Sequence, residues 1–78
     1  MKKVGIKIYG LVQGVGFRFL AGKKSEELGV SIRAINKPDK SVYIEAEGDE
    51  KNLQKFIEWC HVGPEGSMVE RVEIEPVY

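Results

Sequence analysis

Seventy-eight residues with 12 Lys+Arg against 12 Asp+Glu make a short chain of zero formal net charge, 42% hydrophobic and 31% charged. A chain of this size buries only about 60–65% of the surface its unfolded form exposes, enough for one core and too little for a two-domain enzyme or a repeat array. Balanced charge leaves no global field toward nucleic acid or anionic lipid, so any anion recognition has to be local. Cys60 is the only cysteine. That excludes an internal disulfide or a thiolate zinc cage and suits a reducing compartment. No apolar run approaches the ~20 residues that span a bilayer, and Met1-Lys2-Lys3 leads into alternating Lys and Gly rather than a secretory apolar block. The expectation is one cytoplasmic, monomeric domain over residues 1–78.

Val4, Ile6 and Ile8 alternate with other residues and predict a half-buried first strand. Gly10, Gly14 and Gly16 interrupt it. A helix is predicted over 18–28, with Phe17, Leu20, Ala21 and Leu28 near one face and Lys23, Lys24, Glu26 and Glu27 on the other. Gly29 supplies its C-cap. Val30, Ile32 and Ala34 alternate as a second strand, and Pro38-Asp39-Lys40-Ser41 is turn chemistry. Val42, Ile44 and Ala46 alternate with Tyr43, Glu45 and Glu47 in a third strand. Asp49 N-caps a second helix, in which Leu53, Phe56, Ile57 and Cys60 keep the i, i+3, i+4, i+7 spacing before Gly63-Pro64 ends it. Val72 and Ile74 mark a fourth strand. The order βαββαβ predicts an α+β, ferredoxin-like sandwich with two helices on one face of a four-stranded antiparallel sheet.

The segment Gly10-Leu11-Val12-Gln13-Gly14-Val15-Gly16-Phe17-Arg18 joins a strand directly to a helix N-terminus. Glycines let successive N–H groups turn toward one point, and the helix behind adds free donors and the positive end of its dipole. Arg18 can place a planar, bidentate guanidinium over the same point. The two best-known phosphate loops do not fit. G-x-x-x-x-G-K-[ST] needs a glycine where Phe17 stands and a hydroxyl where Lys24 stands, and G-x-G-x-x-G fails at Phe19. Spacing alone leaves two readings open, an anion cradle or a glycine-rich turn whose arginine faces solvent.

The same nine residues closely resemble the signature of the acylphosphatases, a family of small ferredoxin-like enzymes. The likeness continues through Leu28-Gly29, Asn36, Asp39, Ser41-Val42, Gly48, Phe56-Ile57-Glu58-Trp59, Gly63-Pro64, Val69 and Val72. This resemblance implies hydrolysis of a carboxylic–phosphoric anhydride to carboxylate and phosphate, with no metal and no cofactor. By the same resemblance, Arg18 falls on the phosphate-binding arginine and Asn36 on the water-orienting asparagine. The backbone of Gln13, Gly14, Val15, Gly16 and Phe17 would bind the phosphoryl oxygens of a small acyl phosphate, or a phosphate or sulfate ion. Chemistry agrees with this, because an acyl phosphate has a good leaving group and needs charge neutralisation and an in-line water more than proton transfer. Read by itself, without the resemblance, Asn36 reads as a turn-capping residue.

Four departures from the family pattern carry expectations. Ile32 stands where a glycine is usual. Ile35 stands where a basic residue is usual, which would weaken anion affinity. Lys40 replaces a turn glycine and implies a different hairpin geometry. Family members normally add a final short strand, whereas this sequence stops at Pro76-Val77-Tyr78; its loss would leave a sheet edge bare, with the Tyr78 carboxylate nearby. These departures motivate a second reading, a non-catalytic domain that binds phosphate or carbamoyl phosphate or serves as an interaction module. Larger carbamoyl-transfer maturation proteins carry such a domain at the N-terminus. Elsewhere, Cys60 reads as a core thiol, His61 as a surface residue with no partner for a metal site, and Trp59 as packing at the margin of the apolar stripe. An RNA-recognition domain shares the element order but needs aromatics among basic residues on its sheet; Tyr43 beside Glu45 and Glu47 does not meet that need.

Overall fold

The computed structural model describes residues 1–77. It contains β1 (Lys2–Leu11), α1 (Phe17–Leu28), β2 (Ser31–Asn36), β3 (Val42–Gly48), α2 (Glu50–Val62) and β4 (Met68–Pro76). The strands form one antiparallel sheet in the order β2-β3-β1-β4. This is the ferredoxin-like sandwich the sequence predicts. β2 and β4 are the outer strands, and Tyr78, expected near an open edge, lies outside the described residues. No helix among the described residues is long and apolar enough to cross a membrane.

The strand alternation resolves as expected. Ile6 and Ile8 of β1 and Val42, Ile44 and Ala46 of β3 point into the core, where they meet Phe17 and Ala21 of α1 and Leu53, Phe56 and Cys60 of α2. Tyr43 and Glu45 stay half-buried on the opposite face. α1 departs from its predicted stripe in one respect. Its buried residues are Phe17, Ala21 and Ser25, with Leu20 and Leu28 only half-buried. Ser25 is tolerated inside because its hydroxyl donates to the Gly22 carbonyl one turn back, at 2.8 Å. Burial pushes the Cys60 thiol up to about 12, which fits the core role expected of it and leaves no thiolate at neutral pH.

β4 begins at Met68, ahead of the predicted Val72 and Ile74, and it carries a bulge. Tyr9 pairs with Arg71 but Gly10 pairs with Val69, leaving Glu70 as an extra residue. The bulge resets the side-chain alternation, so Val69 and Val72, three apart, both pack on the core. Gly10 permits it. Its φ is 128°, and a Cβ there would strike the Met68 carbonyl oxygen. The turn between β2 and β3 shows the reverse case. Lys40 holds φ 73°, the left-handed backbone that a glycine normally supplies. The altered hairpin geometry expected at Lys40 is therefore corrected to a glycine-type turn carrying a strained lysine.

Two substitutions test this account by thermal or denaturant unfolding. Gly10→Ala adds a backbone clash to a left-handed strain and is expected to cost at least ~2 kcal/mol. Lys40→Gly relieves left-handed strain at the expense of unfolded-state entropy and is expected to stabilise by about 0.5–1 kcal/mol.

Candidate functional site

The two helices begin in opposite ways. α2 is self-capped, with the Asp49 carboxylate accepting from the Asn52 N–H at 3.0 Å and Glu50 in its first turn. α1 has Gly16 as its N-cap, with no side-chain cap and no acidic residue in its first turn. Its first helical bond runs from the Leu20 N–H to the Gly16 carbonyl, at 3.0 Å, so the N–H groups of Phe17, Arg18 and Phe19 have no intrahelical acceptor. Instead of a carboxylate, this turn carries the cation Arg18. A dipole's positive end, free donors and a guanidinium together make this end of α1 receptive to an anion.

Gly14 and Gly16 shape the approach, at φ 75° and 77° with open space where a Cβ would stand. Their requirement is conformational rather than steric, a left-handed backbone that glycine adopts without strain. Phe17 anchors the arrangement from below. Its ring is fully buried and meets Trp59 edge-on at 5.4 Å, while Trp59 stacks on Phe56 at 6.1 Å. Arg18 follows directly, exposed.

A cavity of about 280 Å³ opens at this end, lined by Val12, Gln13, Gly14, Gly16, Phe17, Arg18, Phe19 and Asn36. The structure thus brings Asn36, the last residue of β2, to the loop that starts α1. Of the sequence-predicted residues only Val15 does not line it; its side chain packs against the core. Among the described residues, neither Arg18 nor Asn36 commits its side chain to a protein partner. Ile35, expected to weaken anion binding, is turned to the other face of β2 and lines a separate hollow with Arg33, Tyr43 and Glu45.

Two features went unread in the sequence. Gln13 entered as a backbone donor, but its side chain also does structural work. Its Nε2 donates to the Lys37 and Ser41 carbonyls, each at 2.9 Å. These two residues flank the β2–β3 turn, so Gln13 ties the loop before α1 to the hairpin that carries Asn36. The turn is itself closed, by Lys37 N–H to the Ser41 carbonyl at 2.9 Å and by Ser41 N–H to Asp39 at 3.0 Å. Hydrogen bonds from Ser41 hold the Asp39 carboxyl below its ordinary range. Phe19 is the second omission, a cavity-lining ring on an exposed helix face. The signal for Gln13 was present, as a long polar side chain in an otherwise apolar and glycine loop.

These features define a small α+β sandwich with an anion-receptive loop at one end. The acylphosphatase family model matches residues 4–77. An acylphosphatase of Mannheimia succiniciproducens is 44% identical over 73 residues, covering 94% of this chain and 81% of the relative. The crystal structure of acylphosphatase from Bacillus subtilis superposes with a TM-score of 0.93 at 33% identity, covering 96% of this chain and 83% of that one. A crystal structure of full-length HypF in the phosphate- and nucleotide-bound form gives a TM-score of 0.89 at 30% identity, covering 97% of this chain but 10% of that one. The chain belongs to the acylphosphatase family, and the activity these relationships support is that of an acylphosphatase.

Gln13 offers a direct test of the tie between loop and hairpin. Gln13→Ala strips donors from two partly buried carbonyls and is expected to cost about 1–2 kcal/mol, read as a fall in thermal midpoint. Gln13→Glu is expected to cost more, since a carboxylate cannot donate and repels both oxygens.

Proposed function

We propose that the chain hydrolyses the carboxyl–phosphate anhydride of small acyl phosphates, binding the phosphoryl group in the loop from Gln13 to Phe17. In this reading the N–H groups of the loop and of the first turn of α1, with the Arg18 guanidinium, neutralise the phosphoryl oxygens. Asn36 holds the attacking water, accepting one hydrogen bond and donating another. The water oxygen bonds to phosphorus as the bond from phosphorus to the acyl oxygen breaks. The electron pair leaves with the carboxylate, and the surplus proton passes to solvent. A carboxylate is a stable leaving group, so positioning and charge neutralisation supply the rate. The observation that carries this reading is the uncapped start of α1 with Arg18 and Asn36 on one cavity.

The reaction so written uses no metal and no cofactor. The same reading takes residues 1–78 as a single-domain, cytoplasmic monomer that binds neither nucleic acid nor membrane. Support comes from one contiguous core, zero formal net charge and the burial of the lone cysteine. Non-catalytic binding of phosphate or carbamoyl phosphate is the weaker alternative. The Mannheimia acylphosphatase is matched over 81% of its length, whereas full-length HypF, solved in the phosphate- and nucleotide-bound form, is matched over only 10% of its own.

The purified protein is expected to hydrolyse benzoyl phosphate without added metal, with inorganic phosphate as a competitive inhibitor. Arg18→Ala is expected to lower kcat/KM at least ~100-fold. Asn36→Ala should lower kcat by a similar factor while phosphate still competes, because its partner is water rather than the phosphoryl group. An Arg18→Ala enzyme with the wild-type rate, or phosphate binding by calorimetry with no turnover, would refute the proposal.

A further inference from the structure

The loop grips a phosphoryl group, but an acyl phosphate also has an acyl part, and the cavity offers it one free surface. Of the apolar side chains lining the cavity, Val12 and Phe17 are each 1% exposed and belong to the core. Phe19 is 67% exposed. It lies off the buried stripe of Phe17, Ala21 and Ser25, so the fold does not require its ring. The ring is nonetheless restrained. Lys23 Nζ, one turn further along α1, lies 5.3 Å from its centroid.

In-line displacement places the leaving group opposite the attacking water. With the water on Asn36 and the phosphoryl group against the loop, the acyl group extends away from Asn36, so its contacts come from the other residues that line the cavity. We propose that Phe19 is a specificity-determining residue of this site, whose ring forms a platform for aromatic or extended apolar acyl groups and discriminates them from acetyl-sized ones. The inference rests on the acyl-phosphate reading and adds to it the side chain that recognises the non-phosphoryl half. Benzoyl phosphate presents a flat ring that can stack on or edge against a phenyl, whereas acetyl phosphate presents one methyl group.

The test measures kcat/KM for benzoyl and acetyl phosphate, and inhibition by inorganic phosphate, in wild type, Phe19→Ala and Phe19→Tyr. The benzoyl-to-acetyl ratio is expected to fall about three- to tenfold in Phe19→Ala and to be retained in Phe19→Tyr, which keeps the ring. Inorganic phosphate has no acyl part and should compete equally with all three proteins. An unchanged ratio in Phe19→Ala overturns the proposal. So does an equal loss on both substrates accompanied by weaker phosphate inhibition, which would make the ring a support of the loop. If wild type turns over neither substrate, the acyl-phosphate reading itself fails and this inference falls with it, an outcome visible in the wild-type arm alone.

Discussion

The burial of Phe17 is the constraint on which the rest of the site depends. It is the first residue of α1, and its ring is locked in the core against Trp59. A residue fixed at the first helical position fixes the direction of the N–H groups beside it. It also fixes where the residues just after it emerge. Arg18 and Phe19 therefore leave the helix at set places on the surface, although both are exposed. The left-handed Gly16 immediately before Phe17, at φ 77°, is the residue through which the loop enters the helix. Rigid packing below and free donors above are what a binding site for a small anion needs, because the ordering cost is met during folding rather than on binding.

The second half of the candidate site is held by hydrogen bonding rather than apolar packing. Asn36 ends an outer strand, a position that the sheet alone leaves loosely fixed. Gln13 compensates by donating to carbonyls on both sides of the turn that follows Asn36. Asp39 and Ser41 close that turn internally, and Ser41 is 1% exposed despite its hydroxyl. Two segments 24 residues apart in sequence are thus joined by one side chain. In the proposed reaction a loop that cradles an anion gains little from a water-holding residue whose distance from it fluctuates, so in that reading this tie bears on chemistry as well as stability.

Most of the fold was legible because the apolar periods are clean. Strands β1 and β3 alternate strictly, and α2 keeps its stripe and its Asp49 cap. The less legible parts each have a physical cause. The bulge at Glu70 shifts the alternation of β4, so reading period two through Val72 and Ile74 misses that Val69 also faces the core. Ser25 is buried through a bond to its own helix, which polarity alone argues against. Lys40 occupies a backbone conformation that its residue type disfavours. At the site, the glycines and Arg18 suggested an anion cradle from local chemistry, whereas Asn36 entered through the family resemblance, since alone it reads as a turn cap. The tie made by Gln13 was not, since it depends on which carbonyls the fold brings within 2.9 Å.

Zero net charge and a site for a polyanion are compatible because the field at the site is made locally. The start of α1 forgoes the capping that α2 uses: where Asp49 and Glu50 occupy one helix start, Gly16 and Arg18 occupy the other. Placing Arg18 against the positive end of a helix dipole disfavours the empty state by a few tenths of a kcal/mol to about 1 kcal/mol. A bound anion reverses the sign of that interaction and satisfies the free N–H groups at once. In the proposed reading, the same residues that make the helix start slightly unfavourable without a ligand therefore favour binding an anion. In the proposed reaction, that asymmetry between α1 and α2 is how a sandwich of zero formal net charge would handle a dianionic substrate.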